Sequence, residues 1–90
     1  MFKRGFFHRG RIYSDEGYSV GVLDRSRLAY RESWRRMTIA GELLTNGFVV
    51  YLATIGPWDN GDEVDEKGKL QIADRVKRAL EWGGMRVDLD

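Results

Sequence analysis

The sequence predicts an α+β fold: an antiparallel β-meander covered by one C-terminal amphipathic helix, followed by a short terminal strand. Short segments of alternating apolar and polar residues, separated by turn residues, occupy residues 18–55. Apolar residues then recur every three or four positions over residues 65–83, and alternation returns over residues 85–89. A chain of 90 residues makes a single domain, residues 1–90.

The first three strands of the meander follow from period-two alternation. Residues 18–23 place Tyr18, Val20 and Val22 on one face, and the turn at residues 24–27 leads to a strand whose apolar face carries Leu28 and Tyr30. The third strand, residues 34–39, alternates in the same way. Gly41 is expected to mark a bulge or bend near its end.

A fourth strand is predicted after the strongest turn signal in the chain, Asn46-Gly47, because this pair readily adopts positive φ. Residues 48–55 are apolar on both faces, which is typical of a central strand that is covered on both sides. Gly56-Pro57 ends this strand.

The helix over residues 65–83 has predicted signals at both ends. Asp65 is the candidate N-cap, and Gly83-Gly84 predicts a left-handed C-cap with Met85 in the accompanying apolar contact. Asp74 and Arg78 are spaced for an ion pair on the helix surface. The apolar stripe that should face the sheet comprises Leu70, Ile72, Ala73, Val76, Ala79 and Leu80.

Composition excludes several classes of protein. The absence of cysteine excludes disulfides, thiolate metal sites and cysteine nucleophiles, and it fits a cytoplasmic protein. His8 is the only histidine, no serine lies in a nucleophile-elbow context, and no phosphate-binding glycine motif follows a strand. No apolar run approaches the ~20 residues of a membrane span. We therefore expect a protein that is not an enzyme and has no cofactor, metal or membrane anchor.

The residues of the loop between the last meander strand and the helix, 56–64, are strongly acidic. A calcium loop is not indicated, because glycine is third rather than sixth in Asp59-Asn60-Gly61. Trp58 either anchors the loop to the core or contacts a partner, and the acids are candidates for contacting a basic partner. The predicted contact set is Trp58, Asp59, Asp62, Glu63, Asp65 and Glu66.

Charge is distributed unevenly along the chain. Residues 1–50 carry nine basic and five acidic side chains, whereas residues 51–90 carry six basic and nine acidic ones. Arg27, Arg31 and Arg36 on the meander therefore form a second, opposing basic candidate surface.

Residues 1–16 form a basic and aromatic arm that is either partly disordered or packed at the edge of the meander. Its Phe6, Phe7, Arg9 and Arg11 give the alternative function, because aromatic rings interleaved with positive charge are typical of single-strand nucleic-acid binding. A third hypothesis is self-association, as a homodimer paired through a sheet edge.

Several short motifs together resemble a known family. They are the hairpin Tyr30-Arg31-Glu32, the strand end Glu42-Leu43, the strand Val49-Val50-Tyr51, the pair Trp58-Asp59, the acidic helix start and the helix–glycine–strand ending, over residues 18–89. This order resembles immunity protein 74, a family of small bacterial proteins of polymorphic toxin systems. The resemblance implies a protein without catalytic activity that binds and neutralises a cognate toxin by occlusion.

Overall fold

The computed structural model describes residues 1–4 and 11–90, which form a seven-stranded sheet and one α-helix. The sheet is antiparallel except at its last pair, and its strands lie side by side in chain order. This confirms the α+β fold. The strands are β1 (Phe2–Arg4), β2 (Arg11–Ser14), β3 (Tyr18–Asp24), β4 (Arg27–Glu32), β5 (Arg35–Leu43), β6 (Gly47–Val50) and β7 (Arg86–Leu89); helix α1 is Glu66–Trp82, and a 3₁₀ helix spans Leu52–Thr54.

The meander begins earlier than the sequence predicts. Strand β1 pairs with β2 and β2 with β3, so residues 2–4 and 11–14 of the predicted arm lie in the sheet, at the edge of the meander as the second alternative predicted. The physical reason is aromatic burial, since the ring of Phe2 lies 6.2 Å from that of Tyr18 and 6.0 Å from that of Trp82. The arm residues 5–10 lie outside the described residues.

The core lies between one face of the sheet and helix α1. Val20, Tyr30 and Met37 are cross-strand neighbours on this face and are almost fully buried. From the helix, Ile72, Ala73, Val76, Ala79 and Leu80 are buried against them, which confirms the predicted stripe except at Leu70. Leu70 is 65% exposed, because it lies outside the arc of the helix that faces the sheet.

Strand β5 pairs with β4 along its first residues and with β6 along its last three. Residues 35–40 pair with β4, whereas Gly41–Leu43 pair with β6. A Cβ atom at Gly41 would collide with the Val49 carbonyl oxygen and the Phe48 ring. The glycine that was predicted to mark a bend is therefore required for the close approach of two strands.

Strand β6 ends five residues earlier than predicted. After Val50 the chain enters the 3₁₀ helix Leu52–Thr54, so residues 51–55 do not continue the strand. The Thr54 hydroxyl accepts a hydrogen bond from Ala40 N at 3.0 Å and donates one to Tyr51 O at 2.6 Å. This side chain satisfies backbone groups that a longer strand would have paired.

The terminal strand β7 pairs in parallel with β6, in the register Gly47↔Arg86 to Val50↔Leu89. Strand β6, helix α1 and strand β7 therefore form a crossover unit at one edge of an otherwise antiparallel sheet. The alternation over residues 85–89 predicted a strand, but alternation carries no information about the direction of pairing.

Both predicted ends of the helix are confirmed. The Asp65 carboxylate accepts a hydrogen bond from Gly68 N at 2.7 Å, as an N-cap does. At the other end, Gly84 has φ +94°, and its N–H and that of Met85 donate to Glu81 O and Leu80 O, both at 3.0 Å. Met85 packs against the core, which completes the predicted cap.

Candidate functional site

The acidic loop is a compact turn held by its own backbone. Trp58 N donates to Asp62 O at 2.9 Å, and Gly61 N donates to Trp58 O at 2.8 Å. The Asn60 side chain accepts from Asp62 N at 3.0 Å, and Gly61 adopts φ +93° at the tip. Hydrogen bonds within the loop therefore fix the backbone that carries its acidic side chains.

Trp58 is the anchor of this loop and not part of its surface. Its side chain is 5% exposed, its ring lies 5.9 Å from that of Tyr30, and the guanidinium of Arg35 covers it at 4.3 Å. A buried ring offers no contact area to a partner, so the predicted contact set loses Trp58. The alternative that was predicted from the sequence, an anchor in the core, is the one observed.

The remaining acids of the predicted set are all exposed, but three of them form an ion pair or cap the helix, and Asp62 accepts a hydrogen bond from Asn60 Nδ2 at 3.2 Å. Asp59 lies 3.5 Å from Arg36, Asp65 caps helix α1, and Glu66 lies 3.6 Å from Lys69. Asp62 and Glu63 form no ion pair with any described residue. These two carboxylates are therefore the part of the set most available to a partner.

The loop borders a cleft of about 400 Å³ between the sheet and the start of helix α1. Glu32 on β4 contacts residues of both the sheet and helix α1, the two sides of this cleft. Its Oε1 atom accepts from Arg75 Nη1 at 2.7 Å and from the Tyr30 hydroxyl at 2.9 Å, and its Oε2 atom lies 3.4 Å from Arg35. The cleft is lined by Glu32, Arg35, Trp58, Glu63, Val64, Asp65, Gly68, Gln71 and Ile72.

The cluster of Tyr30, Glu32 and Arg75 is not visible in the sequence. Arg75 is 45 positions from Tyr30 along the chain, and only the packing of α1 on the sheet brings them together. Burial raises the pKa of Tyr30, so its hydroxyl stays protonated and donates to Glu32. The carboxylate at the cleft is thus engaged by arginine and tyrosine donors, which fits a structural role.

Trp34 is a second candidate residue that the predicted contact set lacks. It follows Ser33 in the tight turn between β4 and β5 and is 73% exposed. Ser33 adopts φ +54°, which is uncommon for a residue with a side chain. Arg35 lies between Trp34 and the cleft, with its guanidinium 5.8 Å from the Trp34 ring. The sequence predicted Trp34 as the first residue of the third strand, whereas β5 begins at Arg35, so its place in the turn was not apparent from the sequence.

The predicted basic set separates in the structure. Arg27 pairs with Asp24 at 2.7 Å within its own hairpin. Arg31 and Arg36 are cross-strand neighbours, and Arg11 of β2 joins them in lining a cavity of about 210 Å³. Because Arg36 contacts Asp59, the basic and acidic candidate surfaces adjoin and do not oppose one another.

Of the alternative nucleic-acid site, the structure describes Arg11. Phe6, Phe7 and Arg9 lie outside the described residues, as does His8. Arg11 begins β2, and its Nη1 atom donates to the Ser19 hydroxyl at 2.9 Å.

Within residues 1–4 and 11–90, no three histidine or acidic side chains are grouped so that they could hold a metal ion. Over the same residues, no helix has both the length and the apolar character needed to cross a bilayer.

Comparison with known proteins identifies the family. A sequence model described as immunity protein 74 matches residues 22–90, from the end of β3 through β7. No match was found among the curated proteins or among the solved structures. The matched segment includes the acidic loop, the cleft, Trp34 and helix α1, and it accounts for most of the chain. The chain belongs to the immunity protein 74 family.

Proposed function

We propose that this protein is a bacterial cytoplasmic immunity protein that neutralises the cognate toxin of a polymorphic toxin system. It acts by occlusion and has no catalytic activity of its own. The observation that carries the proposal is the family match over residues 22–90. Occlusion requires a rigid surface and not a reactive group, and the paired carboxylate of Glu32 at the cleft is consistent with that requirement.

We assign toxin binding to the surface formed by the acidic loop and the neighbouring hairpin turn. Asp59, Asp62, Glu63, Asp65 and Glu66 give this surface negative charge, which would steer a basic toxin and fix its orientation. Trp34, with 73% of its side chain exposed, supplies an apolar anchor near the same cleft. Tryptophan is one of the residue types enriched among those that dominate binding energy.

The experiment is co-expression of this protein with the toxin encoded beside it, with growth and direct binding as readouts. The variant Asp62→Lys/Glu63→Lys reverses the two acids that lack ion pairs. Its matched control, Glu81→Lys/Asp88→Lys, makes the same change of charge at exposed positions on the helix and on β7. We expect the loop variant to lose protection and to bind at least about 100-fold more weakly, while the control protects and both remain folded.

Two outcomes oppose the proposal in different ways. Equal loss of binding by the loop and control variants would mean that only total charge matters, which removes the loop assignment. A wild-type protein that neither binds nor protects against the adjacent toxin would remove the immunity function itself.

The self-association hypothesis concerns the sheet edges. Strand β1 is at one edge and β7 at the other, and each offers backbone groups for pairing with a second copy. We expect a homodimer paired in this way to show a mass that rises with concentration in sedimentation equilibrium. A constant monomer mass would exclude it.

A further inference from the structure

Three arginines from three different strands line one cavity on the face of the sheet that is turned away from helix α1. Arg11 comes from β2, Arg31 from β4 and Arg36 from β5, and the cavity measures about 210 Å³. Their neighbours in sequence, Ile12, Tyr30 and Met37, point into the core, so alternation places the arginines on the opposite face.

Small residues lie between the strands that carry the arginines. Gly21 pairs with Arg11 and with Ala29, and Ala29 pairs with Thr38; Ala29 and Thr38 line the cavity together with the larger side chain of Leu23. The Arg11 guanidinium lies 3.6 Å from where a Cβ of Gly21 would be. Its hydrogen bond to Ser19 directs it toward Arg31, the cross-strand partner of Ser19.

The charges around this cavity are poorly balanced. Arg31 and Arg36 are directly opposed in the β4–β5 register, a like-charge arrangement that costs stability. Asp59, 3.5 Å from Arg36, is the sole carboxylate among the described residues that line the cavity. Arg27 and Arg75, by contrast, each have a carboxylate oxygen at 2.7 Å. An anion placed between Arg11, Arg31 and Arg36 would remove this imbalance.

We infer that this arginine cavity, formed by Arg11, Arg31 and Arg36, binds a phosphate group. Guanidinium groups offer planar pairs of N–H donors that match phosphate oxygens. The volume is below the roughly 300–1,000 Å³ of ordinary ligand pockets, which fits a single phosphate better than a whole nucleotide. The cavity opens on a sheet face, so the phosphate can belong to a small phosphate compound or to a nucleic-acid backbone. This inference does not rest on toxin binding, although Asp59 of the acidic loop also lines the cavity.

The test is a titration of the isotope-labelled protein, followed through the Nε–Hε signals of its arginines by NMR. The first probe is inorganic phosphate, added at constant ionic strength against sodium chloride. We expect saturable shifts at Arg11, Arg31 and Arg36, and a loss of affinity of about tenfold or more in Arg31→Ala. The control Arg27→Ala removes an arginine from the same sheet that is already paired with Asp24, and it should bind as the wild type does.

A second arm uses single-stranded oligothymidylate and identifies the source of the phosphate. Saturation by inorganic phosphate alone would assign the cavity to small phosphate compounds. Saturation by the oligonucleotide at the same three arginines, reversed by phosphate, would assign it to a nucleic-acid backbone. The inference is overturned if neither probe saturates these signals, or if Arg31→Ala and Arg27→Ala bind equally well.

Discussion

Arg75 Nη1 donates a hydrogen bond of 2.7 Å to Glu32 Oε1, although 43 positions separate the two residues. The same nitrogen lies 3.1 Å from the Tyr30 hydroxyl, so one guanidinium on helix α1 contacts two side chains of β4. The side chains of Arg75 and Glu32 are 23% and 26% exposed, which limits their competition with water. This contact holds helix α1 against β4, beside the cleft that the acidic loop borders.

Removal of this arginine should destabilise the fold. We expect Arg75→Met to lower the free energy of unfolding by about 2 kcal/mol, because it removes the closest charged donor of a partly buried carboxylate and leaves only the longer contact with Arg35. Urea unfolding followed by circular dichroism measures this change. Arg78→Met is the control, since its pair with Asp74 is exposed and worth less than about 0.5 kcal/mol. Equal effects of the two substitutions would contradict a special role for the Arg75–Glu32 contact.

The N-cap of helix α1 can be tested separately from the charge of the loop. Asp65→Ala removes the acceptor of the 2.7 Å bond from Gly68 N and should cost about 1 kcal/mol of unfolding free energy. Asp65→Asn keeps an acceptor oxygen without the charge and should cost much less. If both variants lost the same stability, charge at the helix start would matter and the cap would not.

Gly41 should not tolerate a side chain. A Cβ at this position meets the backbone of Val49 and the ring of Phe48, so we expect Gly41→Ala to cost about 3 kcal/mol or more, or to prevent folding. Gly21→Ala is the matched control in β3, because its Cβ would come no closer than 3.6 Å to Arg11. The thermal midpoint of the control should stay close to that of the wild type. A normal midpoint for Gly41→Ala would contradict the close approach of β5 and β6.

Stability should fall at high pH through Tyr30. Burial raises the pKa of this hydroxyl above the ordinary value of 10.0. The unfolded chain therefore loses the proton first as pH rises, and the unfolding free energy declines above pH about 10. Urea midpoints from pH about 9 to about 11 should fall less steeply in Tyr30→Phe, which has no proton to lose. Parallel curves for the two proteins would show that other groups cause the decline.

Trp34 should contribute to binding and not to stability. With 73% of the side chain exposed, Trp34→Ala removes little buried area and should leave the thermal midpoint almost unchanged. If the proposed surface is correct, affinity for the cognate toxin falls by about 30-fold or more. Leu70→Ala is the control, since Leu70 is 65% exposed on a different part of the helix surface. Calorimetric titration of both variants decides between an anchor and an incidental exposed ring.

Local patterns in the sequence were sufficient for most of the individual elements. The alternation that placed Val20 and Tyr30 on one face, the cap at Asp65 and the glycine cap after Trp82 all depend on neighbours within a few positions. Such signals are visible in the chain itself because helix and strand periods fix which side chains share a face. The charge of the loop at Asp62 and Glu63 is likewise a property of composition.

Long-range pairing determined the features that the sequence left open. Three features depend on how distant elements pack together. They are the parallel pairing of β7 with β6, the close approach of Gly41 to Phe48, and the contact of Arg75 with Glu32. Packing also buried Trp58 and left Leu70 exposed, since burial depends on the surrounding elements and not on residue type alone. Alternation could place Arg31 and Arg36 on the solvent face, but only strand register brought them together with Arg11.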